Sequence, residues 1–166
     1  YRYVVQGVSL QKTIFMPHEK NATIVTYEVF NPHEEKASIR ILPLVNSRHF
    51  HNVTDKNNLP WNFIQKPFEQ GIIIQPSVPL STLILYSSNG EFIEKSRWFE
   101  EILFRVDASR GESCLDAYFC PGWFNFSVAP KERKKFYILA TADKNEKEAQ
   151  DLFSSIHKGL ENIDTL

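Results

Sequence analysis

The residues with the greatest chemical capacity stand together in Pro43-Leu44-Val45-Asn46-Ser47-Arg48-His49-Phe50-His51, where an apolar run gives way to a cation, two imidazoles and an aromatic ring. A loop that leaves a strand is a common place for binding groups, because the scaffold holds it at a rim. Arg48 brings five fixed donors that suit a carboxylate or several sugar hydroxyls; Phe50 brings a flat apolar face, and His49 and His51 bring further polar contacts. The two histidines, at a spacing of two, could share one face of a strand and ligate a metal. The segment supplies no carboxylate to complete the shell, however, and two imidazoles alone do not close a site. The plainer alternative is that Arg48 closes a salt bridge and the histidines face solvent. Trp61, Trp98 and Trp123 flank loops, where an indole can stack on a sugar ring or simply pack as part of the core.

Other chemistries find less support. No G-x-S-x-G frames a serine nucleophile, and no Gly-rich phosphate loop occurs among the 6 glycines. Glycoside hydrolysis needs only two carboxylates, so Glu100, Glu101 and Asp107 are candidates, although the wet face of a strand explains them equally well. Cys114 and Cys120 form no C-x-x-C pair and read as two reduced thiols, so neither a metal nor a cofactor is expected. The tripeptides Asn21-Ala22-Thr23, Asn52-Val53-Thr54 and Asn125-Phe126-Ser127 would accept a glycan only in a secreted protein, and chance explains them better.

The elements that must hold these residues read as β. A chain of 166 residues with 42% hydrophobic and 23% charged residues can bury one core without staples. Its 13 Phe and 6 Tyr against 1 Met favour pleated surfaces. A net charge of −1 gives no field to recruit nucleic acid or an anionic membrane. No apolar run reaches the roughly 20 residues that span a bilayer, and no signal peptide precedes Tyr1, so a cytoplasmic protein is expected. An opening at Tyr1 without Met suits a fragment or processed product. Alternation over Thr23 to Phe30 and again over Ser38 to Val45 predicts two strands joined as a hairpin across Asn31-Pro32, with Pro43 ending the second early or placing it at an edge. Asn89-Gly90 predicts a second hairpin, between Leu80 to Tyr86 and Glu91 to Glu94. With Arg2 to Val8, Lys12 to Met16, Gly71 to Gln75, Phe99 to Val106, Trp123 to Val128 and Lys135 to Ala140, about ten strands result.

The period changes at the C-terminus. Ala149, Leu152, Phe153, Ile156, Leu160 and Ile163 would line one face of a helix capped by Asp143 with Glu146. The expected architecture is all-β: a sandwich of about ten antiparallel strands over residues 1–142, then one amphipathic helix in 143–166. That helix would pack on the sandwich or lead to a further domain.

The blocks Lys12-Thr13-Ile14-Phe15-Met16-Pro17, Val25-Thr26-Tyr27 and Leu42 to His51 resemble the N-terminal domain of archaeal and bacterial glycogen debranching enzymes. So does the stretch from Trp98 to Arg105 through Arg110-Gly111 to Pro121-Gly122. The resemblance covers most of Tyr1 to Ala140. It implies a β-supersandwich in front of an α/α-barrel that hydrolyses the α-1,6 branch points of glycogen. This chain has no room for that barrel, so the catalytic carboxylates would lie elsewhere and no catalytic residue is assigned here. The sequence departs from the family pattern at His49 and Ala117, where acidic residues are usual, and at Cys120, where Ser is usual; Asp116 can fill one acidic position. The resemblance therefore implies a non-catalytic module whose partners are glycogen or another branched α-glucan and the catalytic barrel. Its contacts would come from Arg48, His49, Phe50, His51, Trp61 and Arg110. The rival readings are a stand-alone carbohydrate-binding module and a purely structural domain.

Overall fold

The computed structural model describes residues 1–49, 52–59, 62–78, 81–142 and 145–163. Its strands are β1 (Arg2–Val5), β2 (Val8–Phe15), β3 (Ala22–Phe30), β4 (Ala37–Ile41), β5 (Phe63–Phe68), β6 (Gly71–Pro76), β7 (Leu83–Ser87), β8 (Glu91–Leu103), β9 (Leu115–Val128) and β10 (Arg133–Ala142). They form a large sheet in the order β1-β2-β3-β10-β7-β6-β5 and a small one in the order β4-β9-β8, with every pairing antiparallel. The inner faces meet in one core: Tyr27, Val29, Ile72, Ile74, Leu85 and Phe136 of the large sheet pack with Phe119, Phe124, Phe126 and Val128 of β9. The Phe126 and Phe136 rings stack with centroids 3.8 Å apart across the layer. This is the expected all-β sandwich.

Two of the expected hairpins are instead crossings between the sheets. β3 gives one edge to β2 and the other to β10, so β4 has no edge left to pair with; it crosses and joins β9. The crossing turns on Asn31, which is fully buried: its Nδ2 reaches the carbonyls of Glu35, Ala129 and Val128 at 2.7, 3.0 and 3.3 Å, and its Oδ1 accepts from the His33 N–H. The amide thus satisfies backbone groups that a hairpin ladder would otherwise have paired. As Pro43 suggested, β4 stops at Ile41 and lies at an edge.

Asn89-Gly90 behaves the same way. β7 is flanked by β10 and β6, and β8 belongs to the small sheet. Glycine serves there for close approach rather than for positive φ: a Cβ on Gly90 would lie 2.5 Å from the Phe126 ring. A true two-residue hairpin occurs at Gln6-Gly7, where φ is 49° and 82° and Val5 pairs with Val8, the geometry of a type I′ turn.

Several strand boundaries also differ from expectation, and β9 begins at Leu115, well before the expected Trp123. β5 was not foreseen, because Pro67 interrupts its pattern; at the edge of the sheet, the missing N–H costs no ladder bond. The segments around Glu91 and Phe99 are one strand with irregular register between Glu94 and Arg97 and between Phe99 and Ile102. That strand ends at Leu103, and residues 105 and 106, expected to be extended, begin the short helix α1 (Arg105–Ser109), with Asp107 in its first turn.

The C-terminal helix α2 (Glu146–Ile163) starts two residues later than its expected cap: Asn145 Oδ1 accepts from the Glu148 N–H at 2.9 Å, and Glu148 Oε2 accepts from the Asn145 N–H at 2.8 Å. Asp143 lies outside the described residues. Ala149 is buried, and Phe153 is buried on the outer face of the large sheet against Ala22, Ile24, Tyr137 and Leu139, with its ring tilted against Tyr86 at a centroid distance of 4.8 Å. Among the described residues no helix is long and apolar enough to cross a membrane.

Candidate functional site

Beyond Ile41 the chain leaves the small sheet and is pinned back at one point. Val45 and Phe119 exchange backbone hydrogen bonds of 2.8 and 2.9 Å, and Val45 is buried. This bridge places the next residues, Asn46 to His49, over the start of β9. There Asp116 is the hub: its side chain is 0% exposed, a state a carboxylate tolerates only when its lone pairs are filled. Oδ1 accepts from the backbone N–H of Thr54 at 2.7 Å and of Ala117 at 2.9 Å, and from Asn46 Nδ2 at 3.3 Å. Oδ2 accepts two donors of Arg48, Nη2 at 2.7 Å and Nε at 3.0 Å.

A second tier ties the loop to itself. Asn46 Nδ2 also donates to the Ala117 carbonyl, while Asn46 Oδ1 accepts from the Ser47 N–H and from Thr54 Oγ1 at 2.7 Å. Arg48 Nη1 donates to the His49 carbonyl. Burial alone would lower the Arg48 pKa, but the hydrogen bonds and charge of Asp116, with a smaller contribution from Tyr118, outweigh it and raise the pKa above the ordinary arginine value. The guanidinium is therefore a permanent cation, 24% exposed, that neutralises the buried carboxylate and turns its remaining surface outward.

Arg48 also stands between two clefts. One, of about 370 Å³, is lined by Arg48, Asn52, Phe104, Asp107, Glu112 and Ser113; the other, of about 600 Å³, by Ser47, Arg48, His49, Asn52, Leu59 and Ser81. A third, of about 340 Å³, lies beyond Asp116 and is lined by Lys56, Asn57, Glu100 and Glu101. These clefts present carboxylates, amides, hydroxyls and one fixed guanidinium, a donor and acceptor set able to hold polyhydroxylated or charged surfaces.

The structure brings Arg48 and His49 to this rim. Arg110 lies on the exposed turn after α1, where its N–H bonds the Asp107 carbonyl, beside the first cleft but outside its lining. Phe50, His51 and Trp61 lie outside the described residues. Trp98 packs inward, with its ring 5.5 Å from Phe119 and 6.0 Å from Phe63, whereas Trp123 carries the Arg40 guanidinium 5.3 Å from its centroid. The three candidate carboxylates separate: Asp107 lines the first cleft, while Glu100 and Glu101 line the third and Glu100 is ion-paired with Lys56 at 2.8 Å. Among the described residues no three His, Cys, Asp or Glu side chains converge as a metal site would require. Both cysteines are free, and burial pushes the Cys120 thiol pKa up.

Sequence reasoning missed the roles of Asn46 and Thr54. Asn52-Val53-Thr54 read only as a glycan acceptor; in the fold Thr54 is 5% exposed and supplies both a backbone donor to Asp116 and a hydroxyl donor to Asn46.

The comparisons bear on the same blocks. No curated protein matches the chain. A family model described as glycogen debranching enzyme N terminal matches residues 1–135, a span that contains both the Arg48 loop and Asp116. With the sandwich fold and a match over most of its length, the chain belongs to the glycogen debranching enzyme N-terminal family.

Proposed function

We propose that this chain acts as a non-catalytic N-terminal module of a cytoplasmic glycogen-debranching-type enzyme, and that the rim around Arg48 contacts branched α-glucan beside an α/α-barrel that hydrolyses α-1,6 branch points. The Arg48–Asp116 pair carries the reading. It joins two separate family blocks, Leu42 to His51 and Arg110 to Gly122, at one buried point and holds polar clefts open on either side. Asp107, Glu112 and Asn52 can accept or donate hydrogen bonds to glucan hydroxyls, and Arg48 fixes the wall between the clefts. Arg48 itself works mainly as a strut: beside its own donors, the Thr54 N–H, the Ala117 N–H and Asn46 Nδ2 converge on the same buried carboxylate. Arg110 and His49 take the outer positions, toward the glucan or the barrel.

Titration of branched limit dextrin against the chain tests this. Asn52→Ala combined with Glu112→Ala should weaken binding about tenfold or more, a loss of roughly 1.4 kcal/mol, with an unchanged melting temperature. Equal binding by the double variant and the parent chain would leave the clefts without a role in glucan recognition. No binding by either would favour the purely structural rival.

A further inference from the structure

The large sheet ends in an edge strand, β1, whose protection is limited to its short length and the charge of Arg2. β1 is exposed along its whole length: Tyr3 is 48%, Val4 74% and Val5 65% exposed, with Tyr1 at 78% just before it. It contains no proline and no bulge, pairs with β2 in unbroken register, and has Arg2 as its only charge. Edge strands of this kind are open to pairing with another strand.

The hydrogen-bond phase of the hairpin fixes what the edge offers. Tyr1 and Lys12 exchange both backbone bonds, at 2.8 Å each, so they are a hydrogen-bonded pair. Pairs alternate along an antiparallel ladder, so Tyr3 with Leu10 and Val5 with Val8 are also hydrogen-bonded, and Tyr1, Tyr3 and Val5 spend their N–H and C=O groups on β2. Arg2 and Val4 therefore point their N–H and C=O groups away from β2, and these have no partner among the described residues.

We propose that β1 pairs antiparallel with β1 of a second copy of this chain, about a two-fold axis through Tyr3, to give a dimer with one continuous sheet. In that register Arg2 faces Val4 of the other copy and Val4 faces its Arg2. These are the residues whose backbone groups point outward, so four hydrogen bonds form. The side chains complement each other as well. Tyr3 lies opposite Tyr3, Tyr1 opposite Val5, and each Arg2 opposite an apolar Val4, so no like charges meet. Tyr3 and Val5 share the face of Leu10 and Val8, which pack on the core, so pairing extends the apolar shelf of one sandwich into the other. The interface is isologous and closes at two copies.

Sedimentation equilibrium of the whole chain, over about 1 to 200 µM, reads the outcome. The average mass should climb from 19.3 kDa toward twice that value. Val4→Pro removes one outward N–H without touching the β1–β2 ladder, and it should remain monomeric with an unchanged circular-dichroism spectrum and melting temperature. Tyr3→Lys and Tyr3→Glu should each weaken dimerisation tenfold or more by placing like charges across the axis, and mixing the two should restore a heterodimer. A wild-type chain that stays at 19.3 kDa throughout would overturn the proposal. So would a Val4→Pro variant that dimerises as well as wild type, or charge variants that fail to rescue each other.

Discussion

Two side chains are buried at polar corners of this sandwich, and they are satisfied in different ways. Asn31, at the crossing from β3 to β4, is a neutral amide whose partners are all backbone groups. Asp116, under the rim loop, is a carboxylate whose backbone and amide donors fill one oxygen while the other, among the described residues, is filled by Arg48 alone. The amide is complete once the backbone has folded around it. The carboxylate is complete only when the displayed loop is in place, so loop position and local stability become one quantity. A charged anchor thereby couples the rim to the core, and a neutral anchor couples only backbone to backbone.

The largest expected effect separates these cases. Arg48→Ala leaves Asp116 Oδ2 buried with neither of its partners. Because Arg48 is partly exposed, water can relieve some of the loss, so the cost should sit near the lower end of the usual range, about 3 kcal/mol. Thermal unfolding should then shift down by about 10 °C. Arg48→Lys restores the charge but not the paired Nε and Nη2 donors, and should recover only part of the loss. A shift of a degree or two for Arg48→Ala would show that Asp116 is satisfied without the loop and would dissolve the contrast.

Asn31→Ala should cost less, about 1–3 kcal/mol, since neutral carbonyls and one N–H are left wanting rather than a charge. Its signature should also differ. Hydrogen exchange should quicken at His33 and in the segment up to Ala37, which the amide organises, while the Arg48 rim stays protected. Quickened exchange at the rim would mean that the corners are one cooperative unit.

The contrast also explains what could be read from the sequence. Strand content, the edge position of β4, the terminal helix and the chemical richness of the Arg48 loop were all legible, because each is written in a local period or a local cluster. The pairing of Asn31-Pro32 and Asn89-Gly90 was not. Both signals correctly mark reversals of the chain, but whether a reversal makes a hairpin or a crossing depends on whether the strand's edges are already taken. For β3 and β7 the takers include β10, far along the chain. Gln6-Gly7 was legible only as an interruption; its positive φ at both positions makes it the real hairpin. Arg48 was legible as a strong cation, yet its acid lies 68 residues away, so spacing could not reveal the pair. Thr54 hid behind a sequon because its main contribution is a backbone N–H, which no side-chain pattern reports.

Alkaline pH offers a test that touches neither corner. Burial, with a smaller contribution from the charge of Tyr3, pushes the Tyr27 pKa up from 10.0 to about 12. Between those values the unfolded chain has released the Tyr27 proton and the folded chain retains it, so the folded state binds more protons and loses stability as pH rises. The slope should approach 1.4 kcal/mol per pH unit from about pH 10 to 12. Tyr27→Phe should flatten it, and an unchanged slope in that variant would assign the alkaline loss to another group.

The smallest effect concerns the ionic strap over the Asn31 corner. Lys131 donates to the Pro32 carbonyl at 2.7 Å and sits 2.8 Å from a Glu34 carboxylate, but the two side chains are 56% and 84% exposed. Such a pair is worth little in water. Lys131 also holds φ at 59°, a region that disfavours a side chain and suits glycine. Lys131→Ala keeps the backbone strain and loses the strap, so it should destabilise slightly, by under about 1 kcal/mol. Lys131→Gly loses the same strap and relieves the strain, so it should be roughly neutral, within about 0.5 kcal/mol, and clearly better than Ala in a paired denaturation series. If Gly instead proved worse than Ala, the positive φ would carry no strain. If both cost as much as Asn31→Ala, the corner would be held by the strap rather than by its buried amide, and Asn31 could no longer stand as the neutral counterpart of Asp116.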